Sequence, residues 1–321
     1  MDSKRKKVIV MGGGTGTFTV LSGLKRYPLD LSAVVAMADD GGSTGVLRDE
    51  LGVLPPGDVR QCLVALSSSD KLMRDLINYR FANGHFQGHS FGNLLLSALE
   101  KVTGSFDQAV EKASDILRIH GKVIPATLDK VRLVADLKDR KIVGEGNISQ
   151  SDLNGLRKIY LSPKAKANKK AIEAINSADA IIIGPGNFYS SLIPNMLVSG
   201  IPQAIKKSKA AKIYICNLMT KSGQTSDFTV KIFSEKIEKY LGCKLNYVIF
   251  NTKIPDSGLL KKYSLEGEKI TIVDKELDGK KFIGADLISR KLPDLSKQDL
   301  LKRTLIRHNP DKLAKIILKL I

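Results

Sequence analysis

Short apolar runs alternate along the chain with segments of helical periodicity, and each run ends in glycine or small polar residues. The first run, Val-Ile-Val-Met at 8–11, precedes a glycine loop at 12–17 and a predicted helix at about 18–26. A second predicted strand covers about 32–38. Strands that alternate with helices favour a mostly parallel sheet with helices on both faces. The pattern therefore predicts an α/β fold with a three-layer, Rossmann-like sheet.

The same alternation continues to the end of the chain. A hairpin predicted at 131–137 and 141–143 indicates a small additional β-containing lobe or insertion at about 120–170, within one domain that covers residues 1–321. The last 12 residues predict an amphipathic helix whose apolar face carries Leu313, Ile316, Ile317 and Leu320. Further strands are predicted at 180–183, 212–216 and 245–250, and further helices at 91–101, at 107–119 and from Asp58 as an N-cap.

The composition disfavours several classes of protein. Three widely spaced cysteines without a Cys-x-x-Cys pair argue against a disulfide framework or a zinc site. The first apolar run is too short for a signal peptide, and no run approaches the roughly 20 residues that span a bilayer. We therefore expect a cytoplasmic protein without a membrane partner. The net charge of +18 is spread over many lysines without interleaved aromatics, which favours a solvated basic surface and anionic small ligands over nucleic acid.

The glycine loop at 12–17 has the composition of a phosphate cradle. Glycines let backbone N–H groups approach an anion closely, and the following helix directs its positive N-terminus to the same place. The dinucleotide fingerprint Gly-x-Gly-x-x-Gly requires a third glycine where Thr17 stands, which disfavours NAD. The tubulin signature is rejected because Phe18 replaces its last glycine. A strand–helix turn without any ligand is the plain alternative.

Four loops follow apolar strands, at 12–17, 39–45, 184–187 and 217–220. Because ligands of open α/β sheets bind at the carboxyl ends of strands, these loops are expected to converge on one ligand. Asp39 and Asp40 could hold Mg²⁺ beside a pyrophosphate or contact ribose hydroxyls, and an Asx-turn with a helix cap is the alternative.

Several polar side chains near these loops are candidate ligand contacts. His89 could donate to a phosphate or act as an acid or base, and Asn93 could contact a sugar hydroxyl. Arg60 could clamp a phosphate or form an ion pair, whereas His308 is interpreted as structural. No P-loop, nucleophile elbow or His-Glu-x-x-His motif is present. The predicted nucleotide- and phosphate-binding residues are Gly12, Gly13, Gly14, Thr15, Gly16, Thr17, Asp39, Asp40, Gly41, Gly42, Ser43, His89, Asn93, Gly184, Gly186, Asn187, Tyr189, Asn217 and Thr220.

Several ordered motifs together resemble the gluconeogenesis factor family, within the superfamily of 2-phospho-L-lactate transferase (CofD). The resemblance implies a CofD-like fold and binding of a nucleotide sugar of the UDP-N-acetylglucosamine kind. It also implies a role in gluconeogenic growth, cell shape and peptidoglycan precursor supply, and in the transferase branch a guanine nucleotide with Mg²⁺. The motifs are VMGGGTG at 10–16, ADDGGSTG at 38–45, LPPGDVR at 54–60, HSFGNL at 89–94, PAT at 125–127, IGPGNFY at 183–189, CNLMT at 216–220 and RHNP at 307–310.

The family pattern is not matched everywhere. After Thr220 the family string Gln-Pro-Gly-Glu-Thr is expected, and here Gln224 replaces its acid. Asn187 stands where serine is commoner. The leading hypothesis is a regulatory nucleotide-sugar-binding protein, for which homo-oligomerisation stays open. The second is a Mg²⁺-dependent transferase with an unknown catalytic residue, and an NAD-linked oxidoreductase is the weakest. In the first two, the loops at 12–17 and 184–187 bind phosphates, and Asn217 and Thr220 contact the base or sugar.

Overall fold

The computed structural model of the protein describes residues 5–290 and 305–321. Within these ranges, the strands are β1 (Lys7–Gly12), β2 (Asp30–Val35), β3 (Lys122–Pro125), β4 (Arg132–Leu137), β5 (Lys141–Val143), β6 (Leu156–Ser162), β7 (Ala180–Ile183), β8 (Ala211–Ile215), β9 (Tyr247–Asn251) and β10 (Phe282–Ala285). Seven of them form one parallel sheet in the order β10-β9-β8-β7-β1-β2-β3, and three form an antiparallel sheet in the order β5-β4-β6.

Helices lie on both faces of the parallel sheet, which confirms the predicted α/β fold class. In the described ranges, no helix is long and apolar enough to cross a membrane. The helices are α1 (Gly14–Leu24), α2 (Gly42–Leu51), α3 (Gly57–Leu66), α4 (Lys71–Asn78), α5 (Phe91–Thr103), α6 (Phe106–Ile116), α7 (Glu145–Gln150), α8 (Lys169–Ser177), α9 (Ile193–Met196), α10 (Ile201–Lys207), α11 (Val230–Leu241), α12 (Ser257–Ser264) and α13 (Pro310–Leu320), with a π-helical turn at Phe188–Leu192.

Alternate residues of each central strand enter different cores. Ile9 and Ile181 pack into the core on one face of the sheet, whereas Val10 and Ile182 pack into the core on the other. Because both faces are covered, the strands read as continuous apolar runs, as parallel strands do in α/β proteins. Burial of each such side chain contributes about 1.5–3 kcal/mol.

The strand order reverses at β1, which determines where a ligand can bind. β1 pairs with β2 on one side and with β7 on the other, so the loops that follow β1 and β7 leave the sheet side by side. A crevice at such a switch point is the usual ligand site of an open α/β sheet. The segments at 12–17 and 184–187 therefore meet. The predicted start of the first helix at about 18 is wrong, because α1 already begins at Gly14, and the glycine segment is thus Gly13 together with the first turn of α1.

The small antiparallel sheet lies within the predicted lobe at about 120–170. The predicted hairpin is present, because β4 pairs with β5 in antiparallel register. The assignment of residues 1–321 to a single domain stays a prediction, and residues 1–4 and 291–304 of that range lie outside the described residues.

Two predictions around the second strand are wrong in detail. The segment at 39–45 is not wholly a loop, because α2 begins at Gly42. Its first residues, Gly-Ser-Thr-Gly, have low helix propensity, and packing in the folded protein overrides that preference. Asp58 is not an N-cap, since α3 begins one residue earlier and Asp58 lies in its first turn.

The last helix returns to the start of the chain. α13 packs on α1, where a Cβ at Gly23 would lie 2.2 Å from the carbonyl oxygen of Pro310. Arg26 and Asp311 form an exposed ion pair of 2.6 Å at the same contact. Leu313 and Ile317 are fully buried, as their predicted apolar face requires. This docking brings the residues just before α13 to the carboxyl end of β1.

Candidate functional site

A cavity of about 640 Å³ lies at the carboxyl ends of β1, β7 and β8. A volume of this size is typical of sites for drug- or nucleotide-sized ligands. Within the described residues it is lined by Gly13, Gly14, Thr15, Gly16, Phe18, Thr19, Arg60, Gln61, Val64, Asn78, Arg80, Pro185, Gly186, Asn187, Ser191, Asn217, Leu218, Met219, Thr220, Lys221, Tyr263, Glu268, Ile306, Arg307 and His308. Eight of the predicted binding residues are in this lining: Gly13, Gly14, Thr15, Gly16, Gly186, Asn187, Asn217 and Thr220.

The first glycine loop forms one wall of the cavity. Gly14 has a φ of +51°, a left-handed conformation that glycine adopts without strain. A Cβ at Gly16 would lie 1.7 Å from the carbonyl oxygen of Pro185, so only glycine lets the two loops approach so closely. Gly12 and Thr17 lie behind this wall, and Thr17 is fully buried with its hydroxyl directed at the Gly13 carbonyl oxygen, 3.4 Å away.

The second glycine loop is held in place by Asn217. The Asn217 Nδ2 donates to the Gly186 carbonyl oxygen over 2.7 Å, which joins the loops after β7 and β8. Asn217 therefore has a structural bond in addition to its place in the cavity wall. Gly184 and Tyr189 are not part of the lining. Tyr189 is largely buried and packs edge-on against Phe188.

Cationic side chains face the same cavity. Arg60 is held by two amide oxygens, because its Nε donates to Asn93 Oδ1 over 2.9 Å and its Nη1 donates to Asn78 Oδ1 over 2.6 Å. Arg80, Arg307 and Lys221 also belong to the lining. Guanidinium groups bind phosphate with paired donors, so this wall suits an anionic ligand.

Three predicted contacts lie behind Arg60 rather than in the cavity lining. Ser43 Oγ lies 2.9 Å from His89 Nδ1 and accepts from Asn93 Nδ2 over 3.3 Å. Asn93 is buried and also bonds to Arg60. The motifs that contain His89 and Ser43 thus form a chain of hydrogen bonds that ends at a cavity arginine.

Carboxylates gather on the other side of the glycine loop. Asp58 accepts a hydrogen bond from the Gly14 backbone N–H, and a Cβ at Gly13 would lie 2.3 Å from Asp58 Oδ2. Burial raises the pKa of Asp58 well above its ordinary value, and the charges of Asp39 and Glu145 raise it further. Burial also raises the pKa of Glu145 to about 8, with Asp39 as the next cause. We call Asp39, Asp58 and Glu145 the carboxylate cluster.

The two predicted metal ligands have different surroundings. Asp40 is committed to protein contacts, since it pairs with Arg132 Nη1 at 3.0 Å and accepts from the Gly146 backbone N–H over 2.9 Å. Asp39 accepts a hydrogen bond from the Gly41 backbone N–H over 3.0 Å. This bond forms an Asx-turn, which was the alternative prediction for these residues. Burial is the largest cause that raises the pKa of Asp39. Gly41 and Gly42 serve as turn and helix start and do not line the cavity.

The described residues offer at most pairs of side chains as metal ligands. Across residues 5–290 and 305–321, no three or more His, Cys, Asp or Glu side chains converge as metal ligands. Mg²⁺ does not require such a cage, because it usually keeps several waters and binds one or two carboxylates together with substrate phosphates. The carboxylate cluster supplies acids that repel one another beside a glycine loop, which fits a cation of this kind.

His308 lies in the cavity lining, although the sequence analysis interpreted it as purely structural. It is only 6% exposed, and burial lowers its pKa to about 4. Among residues 5–290 and 305–321, its Nε2 has no hydrogen-bond partner. Sequence reasoning also missed Asp58 and Glu145 as site residues, although Asp58 and His308 both lie inside motifs that carry the family resemblance.

Gln224, which departs from the family string, is a structural clamp. Its Nε2 donates to the carbonyl oxygens of Ile148 at 2.8 Å and Ser151 at 3.0 Å, around the end of α7. The amide donors thus hold the short helix that carries Glu145. An ionised glutamate would offer no donor to these carbonyls.

Comparison with known proteins identifies the family. A family model described as 2-phospho-L-lactate transferase CofD matches residues 8–291. The chain belongs to the CofD family. It is 37% identical to the gluconeogenesis factor of Bacillus subtilis, over 99% of each chain. It is 41% identical to the gluconeogenesis factor of Halalkalibacterium halodurans, over 98% of this chain and 97% of that one. The resemblance to gluconeogenesis factors is therefore confirmed.

A solved structure supports the same assignment. The crystal structure of a member of the UPF0052 family from Bacillus halodurans matches with a TM-score of 0.89 and 37% sequence identity. The match covers 98% of this chain and 99% of that chain. The α/β fold described above is thus the fold of a solved relative.

Proposed function

We propose that this CofD-family protein binds a nucleotide sugar of the UDP-N-acetylglucosamine kind and acts as a regulatory factor. In this proposal it serves growth on gluconeogenic carbon sources, cell shape and peptidoglycan precursor supply, and it works in the cytoplasm. One observation carries the binding proposal: a glycine cradle and arginine side chains line one cavity at the switch point of the sheet. The relatives' name, gluconeogenesis factor, supports the part of the proposal that concerns growth on gluconeogenic carbon sources.

One part of the cavity is the proposed place for the pyrophosphate. The backbone N–H groups of Gly13 and of the first turn of α1, which begins at Gly14, favour negative charge, because the N-terminus of a helix carries partial positive charge. Arg60 is presented to the same space by Asn78 and Asn93. A diphosphate held here would lie next to the carboxylate cluster.

The carboxylate cluster is the proposed place for Mg²⁺. Asp39 and Asp58 would hold the ion, and Asp40 would take part only through its neighbours because it is paired with Arg132. Mg²⁺ would neutralise phosphate charge when bound. Asp58 both contacts the glycine loop and repels Asp39 and Glu145, so a cation at this place would relieve that repulsion.

A Mg²⁺-dependent transferase is the second candidate function. The description of the matching family model favours it, since that family is named for 2-phospho-L-lactate transferase. In this version the donor is a nucleoside-diphosphate-linked group, and the same two subsites hold its pyrophosphate and Mg²⁺. The regulatory and the transferase proposals therefore share the binding geometry and differ in what happens to the ligand.

Calorimetric titration of the full chain with UDP-N-acetylglucosamine, with and without Mg²⁺, tests both candidates. GDP and NAD serve as comparison ligands. Saturable micromolar binding of the UDP-sugar, recovered intact, is the result expected of a regulatory binding protein. Preference for GDP with a requirement for Mg²⁺ would favour the transferase, and absence of binding by any UDP-sugar contradicts the proposed function.

Two matched variants test the proposed Mg²⁺ site. Asp58→Asn keeps an oxygen that can accept from the Gly14 N–H but removes the charge, so we expect it to abolish any effect of Mg²⁺ on affinity. Asp49→Asn is the control, because Asp49 is largely exposed and pairs with Arg132 outside the cavity. If Mg²⁺ changes the affinity of Asp58→Asn as much as that of wild type, the ion does not bind at the carboxylate cluster.

A further inference from the structure

Part of the cavity wall is apolar and differs from the glycine cradle. Leu218, Tyr263 and Ile306 line the cavity and pack together as a small buried cluster. The Tyr263 hydroxyl accepts from the backbone N–H groups of Leu305 over 2.7 Å and Ile306 over 3.2 Å. The tyrosine thus fixes the segment that leads to His308, and the apolar wall suits the faces of a planar ring.

His308 places a polar group beside this apolar wall. It lines the cavity while only 6% exposed, and its buried Nε2 finds no hydrogen-bond partner in the part of the chain that the structure describes. Its other ring nitrogen, Nδ1, donates its N–H to the Cys216 backbone carbonyl, which can only accept. A neutral imidazole has one N–H and one lone-pair nitrogen, so His308 is left with an unpaired acceptor.

The charge state of His308 agrees with this role. Burial lowers its pKa to about 4, so the ring is uncharged at neutral pH and keeps its lone pair. A buried acceptor without a partner is unfavourable, and a ligand that brings an N–H donor relieves that cost. The ligand group that fits is flat, apolar on its faces and carries an N–H on its edge.

Building on the proposed function, we propose that His308 selects the nucleobase of the bound nucleotide by accepting the imide N–H of uracil or guanine. Uracil N3 and guanine N1 carry a hydrogen, whereas the corresponding nitrogens of cytosine and adenine carry a lone pair. A cytosine or adenine edge would therefore place two lone pairs against each other. Sites built around a hydrogen bond reject analogues that lack the matching group.

The wild-type full chain provides the first test, because it needs no variant. We expect UDP to bind roughly ten- to a hundredfold more tightly than CDP, from the loss of one buried hydrogen bond. N3-methyl-UDP keeps the uracil ring and its carbonyls but lacks the hydrogen, so it should bind as weakly as CDP. Calorimetry with the three nucleotides measures this ratio.

Variants then assign the ratio to His308. In His308→Leu the affinities of UDP and N3-methyl-UDP should converge, whereas His308→Gln retains an acceptor oxygen and should keep part of the preference. His120→Leu is the control, since His120 is an exposed histidine outside this cavity. The ratio of two affinities within one variant is insensitive to a general loss of folded protein.

The outcomes separate this inference from the proposed function. If UDP and N3-methyl-UDP bind the wild-type chain equally well, His308 does not read the base, although nucleotide binding stands. If the ratio survives in His308→Leu, another residue reads the base and the inference is wrong. If no nucleotide binds at all, both the inference and the proposed function are overturned.

Discussion

His308 in the cavity wall and Glu145 in the carboxylate cluster are both ionisable side chains that burial holds uncharged at neutral pH. Burial lowers the pKa of His308 to about 4 and raises the pKa of Glu145 to about 8. The chemical results are opposite, because the neutral imidazole keeps a lone pair and the neutral carboxyl keeps a proton. The cavity wall therefore favours a ligand that brings a hydrogen, and the cluster favours a cation that replaces one.

The cavity wall and the carboxylate cluster also differ in how closely their backbone segments pack. The cavity side depends on the close approach of two backbone loops at Gly16 and Pro185. On the cluster side, the turn at Gly41 has more room, since the nearest neighbour of a Cβ there would be Asp39 Oδ1 at 3.5 Å. The same substitution should thus have different consequences on the two sides.

The largest expected effect is that of Gly16→Ala. Its Cβ would lie 1.7 Å from the Pro185 carbonyl oxygen, so the two loops must separate. We expect the free energy of unfolding to fall by about 3 kcal/mol and nucleotide binding to be lost. Urea unfolding at pH 7 measures the first quantity and calorimetry the second.

Gly41→Ala is the matched control for Gly16→Ala. Gly41 has a φ of −82°, which alanine adopts without strain, and we expect a loss of less than about 1 kcal/mol. Equal losses in both variants would mean that the loops on the cavity side are no more tightly fitted than the turn beside the cluster.

The next effect concerns the pH dependence of stability in Glu145→Gln. The pKa of Glu145 is raised from 4.5 to about 8 in the folded protein, so the folded state holds the proton more tightly than the unfolded state. Wild-type stability is therefore lost as pH rises from 4.5 to 8. Glutamine cannot ionise, so the variant should gain on the order of 2–3 kcal/mol over wild type between pH 5 and pH 9.

Urea unfolding across this pH range measures that gain, and Glu50→Gln is a control on the exposed end of α2. Parallel stability curves for wild type and Glu145→Gln would show that Glu145 ionises normally. Such a result would contradict the proposed charge repulsion within the carboxylate cluster.

His308→Leu should change the pH dependence in the opposite direction. The pKa of His308 is lowered from 6.5 to about 4, so the unfolded state takes up the proton first. Wild-type stability is thus lost as pH falls from 6.5 to 4. Leucine cannot take up a proton, so we expect the variant to lose on the order of 1–2 kcal/mol less stability than wild type over this pH range. Urea unfolding at a series of acidic pH values measures this difference. Identical acid profiles would contradict a neutral, buried His308.

The smallest effect is expected for Asn93→Ala. Asn93 Oδ1 accepts from Arg60 Nε, and Asn78 Oδ1 still holds Arg60 Nη1 in the variant. We therefore expect about a three- to tenfold loss of nucleotide affinity, since one of the bonds that position Arg60 is removed and the others stay. Asn154→Ala, on an exposed turn of the small lobe, is the control. No loss of affinity in Asn93→Ala would mean that Arg60 needs no positioning by this residue.

Parts of the fold were predictable because the local pattern and the packing agree. The strand Ala180–Ile183 was predicted to the residue, since an apolar run lies between Asp179 and the glycine loop at 184–187. Helix α2 was not predicted, because its Gly-Ser-Thr-Gly opening has the composition of a turn.

The site was only partly predictable for a different reason. Glycine-rich segments are visible in the local sequence, and the segment at 12–17 was predicted to bind phosphate from its composition. Its residues 13–16 line the cavity. Glu145 and Asp58 are far apart in sequence, and only the topology brings them close enough for each to affect the other. His308 carries no local sign of its unpaired nitrogen, which results from burial against Cys216.

The docking of α13 on α1 has a consequence for local unfolding. Arg26 and Asp311 are 285 positions apart in sequence, and their contact adjoins the segment that carries Arg307 and His308. Detachment of α13 would withdraw that wall and open the cavity while the sheet stayed intact. A ligand that contacts both the glycine loop and His308 would stabilise the contact between α1 and α13. Ligand binding should therefore slow amide hydrogen exchange in α13, which is far along the chain from the glycine loop.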